Sequence, residues 1–237
     1  MILLNGCSFT YGDELSDPTA HAWPAILAAK LSADFNNDAV SGGTNSRTVY
    51  RTIKNTQDDY DLYPIAWTNY TRFTFYKSDN NFEVNFNPQL LQALYSTEKF
   101  YKDWGNTLYK HWYNELYAFK LWLQQIIQLQ KVLIDKKYLM INTVDNNLSK
   151  WLANESKFID SVKDLINFDL MNDQQIIDEY REIQYYISLI DFSKFYRWNE
   201  FYITELCDRF PCGPEGHILE QGHKHLANLI YQHLCLK

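Results

Sequence analysis

Three apolar segments in the first third of the chain each run directly into a polar, small-residue loop, and this repeated pattern restricts the fold more than any other feature. Ile2-Leu3-Leu4 leads into Asn5-Gly6-Cys7-Ser8, Ala39-Val40 leads into Ser41-Gly42-Gly43-Thr44-Asn45, and Leu62 to Trp67 leads into Thr68-Asn69. Short unbroken apolar runs bounded by turn residues read as buried strands. Between them lie helical patterns. Trp23, Ile26, Leu27 and Leu31 fall at i, i+3, i+4 and i+8, with Pro24 suited to a first helical turn. A second helix is predicted over Ser46 to Lys54, with Val49, Tyr50 and Ile53 inward. Strands alternating with helices in this way specify an α/β domain with a parallel sheet. In such sheets the loops at the carboxyl ends of the strands share one edge, where ligands bind. The three polar loops are therefore expected to converge.

The rest of the chain adds helices to this frame. Phe82, Val84 and Phe86 alternate with polar residues, which predicts a β-hairpin within Phe73 to Phe86. Leu108, Trp112, Leu116, Phe119, Leu123 and Ile126 step by three or four, predicting one long helix. Tyr138 to Ile141 read as a fourth strand. Helical patterns follow at Trp151-Leu152, Phe158-Ile159, Val162, Leu165-Ile166, and from Ile176 to Ile187. Leu226, Leu229, Ile230 and Leu234 share one face of a last helix starting near Glu220, just after the loop Pro211-Cys212-Gly213-Pro214-Glu215-Gly216-His217. A chain of 237 residues supports one sizeable core. A single domain over 1–237 is expected, with insertions at about 73–135 and 147–200. Long insertions usually carry binding functions, so these are expected to cover part of the site and set access to it.

Composition excludes several functions. With 22 Lys and Arg against 29 Asp and Glu, the formal charge is −7, which argues against a nucleic-acid partner. Arg47, Arg51 and Lys54 form a local basic cluster. No apolar run approaches the roughly 20 residues of a membrane helix, and no secretory leader is visible. No membrane partner and a cytoplasmic location, compatible with virion association, are expected. Four cysteines in this length do not suggest a disulfide scaffold, so reduced thiols are expected. The Cys207-x4-Cys212 spacing is wider than the tight pairs of structural zinc sites, so these cysteines with His217 and His223 are not read as metal ligands. Aromatic residues make up 16 % of the chain, and their helical spacing assigns most of them to the core.

Ser8 is the leading chemical candidate. A serine just beyond a strand in a Gly-flanked turn can expose its hydroxyl at the sheet edge, but that hydroxyl is a weak nucleophile until a base takes its proton. His217, in a loop at a helix entrance, is the candidate base, and Glu215 the candidate carboxylate holding its imidazole. Ser8 and Gly42 can supply backbone N–H groups to a developing oxyanion, and Thr68 or Asn69 a side-chain donor. Arg72 is a candidate for binding an acidic substrate group, with a surface ion pair as the alternative. His223 is read as structural, capping or packing near a helix start, and Cys7 as a small buried hydrophobe.

These residues fall in four blocks that resemble the SGNH, or GDSL-type, hydrolase family, especially divergent members encoded by bacteriophages. Gly6-Cys7-Ser8 is similar to the Gly-Asp-Ser block, Gly42-Gly43-Thr44-Asn45 to Gly-x-Ser-Asn, Ala66-Trp67-Thr68-Asn69 to Gly-x-Asn-Asp, and Glu215-Gly216-His217 to the Asp-x-His block. The blocks stand in the family's order across nearly the whole chain. Cys7, Ala66, Thr68 and Glu215 depart from the pattern. The resemblance implies a flavodoxin-like three-layer α/β/α sandwich with a parallel sheet and helical insertions. It implies Ser8 as nucleophile, His217 as base and Glu215 as its partner. Ser8, Gly42, Thr68 and Asn69 would form the oxyanion hole, and Asn45, Trp67 and Arg72 would contact substrate. A serine esterase acting on a small-molecule or glycan ester is expected, with no cofactor and no metal. A non-catalytic carbohydrate- or protein-binding protein on the same fold is the alternative.

Overall fold

A computed structural model describes residues 1–76, 83–86, 99–146, 154–163 and 171–236. In chain order the elements are β1 (Ile2–Leu4), α1 (Ser8–Tyr11), α2 (Pro18–His21), α3 (Trp23–Lys30), β2 (Phe35–Asn37), α4 (Asn45–Asn55), β3 (Tyr63–Trp67), β4 (Phe73–Tyr76), β5 (Glu83–Phe86), α5 (Lys99–Thr107), α6 (Glu115–Val132), β6 (Tyr138–Asn142), α7 (Glu155–Lys163), α8 (Asp173–Ser188) and α9 (Glu220–Cys235).

β1 pairs in parallel with β2, and β3 with β6. Parallel bridges Ile2–Leu62 and Asn5–Ile65 join β1 to β3, and Met140–Phe195 extends the array past β6. The order across the array is β2-β1-β3-β6 and then the segment at Phe195. Counting parallel strands only, that is 2-1-3-4-5, the flavodoxin-like order of doubly wound α/β folds.

β1, β3 and β6 are buried on both faces, so alternate residues enter two separate cores. Leu3, Tyr63, Ile65, Trp67, Tyr138 and Met140 pack against Val49 of α4 and against Phe119, Trp122 and Ile126 of α6. Ile2, Leu4, Ala66, Leu139 and Ile141 pack against Trp23 and Leu27 of α3 and Leu226 and Ile230 of α9. This is the three-layer α/β/α sandwich. The first layer takes a further coat of helix: Phe158 and Val162 of α7 and Ile176 and Ile183 of α8 join the same core.

Three sequence expectations need correction. The second strand is Phe35–Asn37, not Ala39-Val40. At the sheet edge it is held by backbone pairing to β1 while Phe35 and Asn36 stay exposed, so it carries no apolar signature. The long helix is interrupted: a π-helical turn over Leu108–Trp112 ends at extended Tyr113, and Asn114 caps a new helix by accepting the Tyr117 N–H. The cysteines are not all reduced, since Cys207 and Cys212 form a disulfide. The antiparallel hairpin β4–β5 matches expectation, with Phe73 opposite Phe86. Trp151, Leu152, Leu165 and Ile166 lie outside the described residues.

Candidate active site

The Ser8 turn is set by its neighbours. Asn5 Oδ1 accepts the Gly6 N–H, while Asn5 Nδ2 donates to the Thr48 carbonyl and to Thr52 Oγ1 on α4. A Cβ on Gly6 would lie 2.5 Å from Thr10 Oγ1 and 3.1 Å from the Ala66 Cβ, so glycine here and a small residue at 66 fit each other. Cys7 is extended and buried, and α1 begins at Ser8. Among the described residues, no protein group accepts the Ser8 N–H or the Gly42 N–H.

The second loop packs directly on this turn. A Cβ on Gly43 would sit 2.7 Å from the Gly6 carbonyl oxygen and 3.2 Å from Cys7 Cα. Gly42 has φ +66°, a left-handed conformation that favours glycine, with open space beside it. The third loop is tied to the second: Asn45 Oδ1 accepts the Thr68 N–H at 2.8 Å, and Asn45 Nδ2 donates to the Thr68 carbonyl at 3.0 Å. Loops after β1, β2 and β3 therefore meet at one edge. Asn45 is consumed in this clamp, and Trp67 is 0 % exposed within the core, so neither is placed to touch a substrate. The Thr68 hydroxyl is enclosed without a partner. Asn69 Oδ1 caps its own turn by accepting the Thr71 N–H. Arg72 donates to the Gly43 carbonyl at 3.4 Å, while its Nε is buried without a partner. Arg51 makes a bidentate ion pair with Asp38 and Arg47 donates to the Asp38 carbonyl, so two members of the expected basic cluster serve one internal carboxylate and its backbone.

The largest correction concerns His217. Its Nδ1 lies 2.9 Å from Glu14 Oε2, with both side chains about seven-eighths buried. The same carboxylate accepts the backbone N–H groups of Glu215 and His217. Glu215 contributes only that N–H, and its side chain points to solvent. Glu14 has φ +66°, an uncommon conformation for a non-glycine residue that turns it under the His217 loop. A Cβ on Gly213 would collide with Glu14 Oε1 at 2.3 Å, so this glycine makes room for the carboxylate. Burial pushes the Glu14 carboxyl up, but the Glu215 and His217 N–H donors and the imidazole outweigh it and hold it below the ordinary carboxylate value. Sequence separation hid this pair: Glu14 and His217 stand 203 positions apart.

The His217 ring packs on the residue that follows Ser8. The ring of Phe9, next to Ser8, has its centroid 4.7 Å from that of His217. Among the described residues no hydrogen bond joins Ser8 to His217. The Cys207–Cys212 disulfide staples the loop that carries His217, with Cys207 Sγ 3.3 Å from the Gly216 carbonyl oxygen. His223 is fully buried, and its Nδ1 accepts the Trp23 N–H at 3.0 Å, capping α3 and not its own helix. A cavity of about 290 Å³ lined by Lys137, Tyr138, Ser193, Lys194 and His233 opens at the opposite, N-terminal end of β6.

The model of a family of unknown function, DUF6071, matches residues 12–164, a span that contains Glu14, Gly42 and Thr68 but neither Ser8 nor His217. No curated protein matches the chain in sequence. Among solved structures, the chain is similar to a member of the lipolytic protein G-D-S-L family from Veillonella parvula DSM 2008, at 15 % identity over 98 % of this chain and 96 % of that one, TM-score 0.45. A putative lipolytic protein of the G-D-S-L family from Desulfitobacterium hafniense DCB-2 is 11 % identical over 98 % of both chains, TM-score 0.42. A carbohydrate esterase family 2 enzyme from Corynascus thermopiles (Myceliophthora fergusii) is 10 % identical over 99 % of this chain and 65 % of that one, TM-score 0.47. At these identities and scores the likeness assigns no activity to the chain.

Proposed function

The chain belongs to the DUF6071 family, whose function is unknown, and from the site alone we propose that it is a serine ester hydrolase of SGNH type. The observation that carries this reading is the His217–Glu14 pair at 2.9 Å, packed against Phe9, the residue after Ser8. In the proposed mechanism Ser8 Oγ attacks the ester carbonyl carbon as His217 Nε2 takes the hydroxyl proton. Glu14 fixes the ring with its proton on Nδ1 and stabilises the imidazolium that forms. The Ser8 and Gly42 N–H groups, without acceptors among the described residues, bind the oxyanion. His217 then protonates the departing alcohol, leaving an acyl-Ser8 ester. Water, deprotonated by His217, hydrolyses that ester and returns the proton to Ser8. The Asn69 side-chain amide is the remaining candidate donor, because the Thr68 hydroxyl is enclosed. The substrate proposed is a small ester, an O-acetyl group on a glycan being the type case.

One observation favours a second reading, a binding protein that has kept the fold and lost the chemistry: Ser8 and His217 are not hydrogen-bonded. Catalytic hydrogen bonds are often open without substrate, so this weighs less than the Glu14 pair. A fluorophosphonate probe and a panel of acyl and O-acetyl esters decide between them. The enzyme reading expects one covalent adduct on Ser8, lost in Ser8→Ala, and turnover lost in both Ser8→Ala and His217→Ala. No adduct and no turnover by folded wild type would establish the binding reading.

A further inference from the structure

Arg72 stands out by how this fold treats its other arginines. Arg51 is held bidentate by Asp38, and Arg47 donates to the Asp38 carbonyl, beneath α4. Arg72 has no such partner. Its guanidinium touches the Gly43 carbonyl at 3.4 Å and its Nε is enclosed without an acceptor; among the described residues no carboxylate lies within ion-pair distance. A chain with 29 acidic residues has ample means to neutralise a structural arginine, yet among the described residues none pairs with this one. Arg72 is half-buried, with its Nε enclosed, and a half-buried guanidinium that lacks a carboxylate partner is available to pair with an anionic ligand.

The position of this cation matters more than its isolation. Gly43 is the residue that packs on the Gly6-Cys7 backbone, and it follows Gly42, whose N–H has no acceptor among the described residues and is the proposed oxyanion donor. The guanidinium therefore rests on the loop that joins the oxyanion donor to the nucleophile turn. Its own segment is fastened there: the Thr44 and Thr74 hydroxyls hydrogen-bond each other, and Tyr109 Oη donates to the Thr71 carbonyl. The cation is thus held beside the reacting centre by the hairpin that follows β3.

We infer that Arg72 forms an anion subsite beside the oxyanion loop, so that the ester taken by this protein carries a negatively charged oxygen group, a carboxylate or a phosphonate-type group, near its scissile bond. This inference rests on the esterase reading. Guanidinium binds both groups through charge-assisted hydrogen bonds.

The test uses the full chain and three esters of one alcohol: butyrate, hemisuccinate and 3-phosphonopropionate. For wild type, kcat/KM for at least one anionic ester exceeds that for butyrate, and the larger of the two anionic ratios names the group. In Arg72→Gln the anionic-to-neutral ratio falls by about 10- to 100-fold, the loss expected for one charged hydrogen-bonding partner. Arg72→Lys recovers part of it. The ratio cancels any general damage to folding or to the catalytic groups. A separate arm needs no turnover: Ser8→Ala protein, with and without Arg72→Gln, is titrated with succinate and with 3-phosphonopropionate by calorimetry. Binding lost with Arg72 supports the subsite even where no ester is cleaved, which would then count against the esterase reading alone. A wild type that prefers butyrate, or an anionic preference unchanged in Arg72→Gln, overturns the inference.

Discussion

His223 should make this protein lose stability in mild acid by a calculable amount. Its side chain is fully buried under α3 and α9. Nδ1 accepts the Trp23 N–H, so the neutral ring carries its proton on Nε2, which has no protein acceptor. Burial is the main reason the imidazole is pushed down from 6.5 to about 4; the nearby His217 ring pushes the same way, while Glu220 and the Ile218 carbonyl oppose it. A depressed histidine means that between those values the unfolded chain binds a proton the folded chain refuses. Stability from this group is complete above pH 6.5 and is lost as pH falls toward 4. At pH 4 the unfolded ring is almost wholly protonated and the folded ring about half, which corresponds to about 3 kcal/mol. That is a large part of the 5–15 kcal/mol typical of a folded domain.

The control is His223→Asn. Its side-chain oxygen replaces Nδ1 as acceptor for the Trp23 N–H but does not titrate. Urea unfolding of both proteins at pH 7.5 and pH 4 gives the difference that matters, because all other titrating groups are shared and cancel. Wild type should lose about 3 kcal/mol more than His223→Asn over this range. Unfolding free energies that fall in parallel would show that His223 is protonated in the fold or solvated, and the reasoning from burial would be wrong.

Two further predictions follow from the base-bearing loop. Glu14→Gln should lower kcat by roughly 100-fold, because His217 loses the carboxylate that orients its ring; Glu215→Gln, altering an exposed side chain, should change kcat by about twofold at most, and equal effects of the two substitutions would return the role to Glu215. The paired change Cys207→Ser with Cys212→Ser should cost about 2 kcal/mol in urea unfolding, the value for closing so short a loop, and wild type in dithiothreitol should match it.

The sheet was legible because its central strands are buried on two faces. Leu3, Ile65 and Trp67 enter one core and Leu4 and Ala66 the other, so their segments read as unbroken apolar runs. Phe35–Asn37 escaped because an edge strand needs only backbone partners, and two of its three side chains are exposed. The break at Asn114 escaped because the apolar positions on either side keep a helical step through it, while the interruption comes from one side-chain cap. The positions of Ser8, Gly42 and His217 were legible from glycine-bearing turns next to strands and a helix start. What those residues touch was not. Asn5, Asp38 and Glu14 act through contacts made 13 to 203 positions away, and no local pattern encodes such partners.

The carboxylate that contacts the His217 ring is Glu14 and not Glu215, the residue that the sequence predicts. Glu215, two positions before His217, has the spacing of a carboxylate partner, but its backbone is what the fold uses. The Glu215 and His217 N–H groups both point at Glu14, so one carboxylate folds the loop and holds the ring at once. A carboxylate on the His217 loop itself would orient the ring without fixing where the loop sits. A carboxylate six residues after Ser8 does both, because it belongs to the segment that carries the nucleophile. In the proposed mechanism the distance between Ser8 and His217 is then governed by the short stretch from Ser8 to Glu14, with Gly12 at φ +97° and Glu14 at φ +66° bending it. Gly213 completes the arrangement by leaving the space that the Glu14 carboxylate fills. In the proposed mechanism, acid, base and nucleophile are defined by where three loops meet and not by their order along the chain.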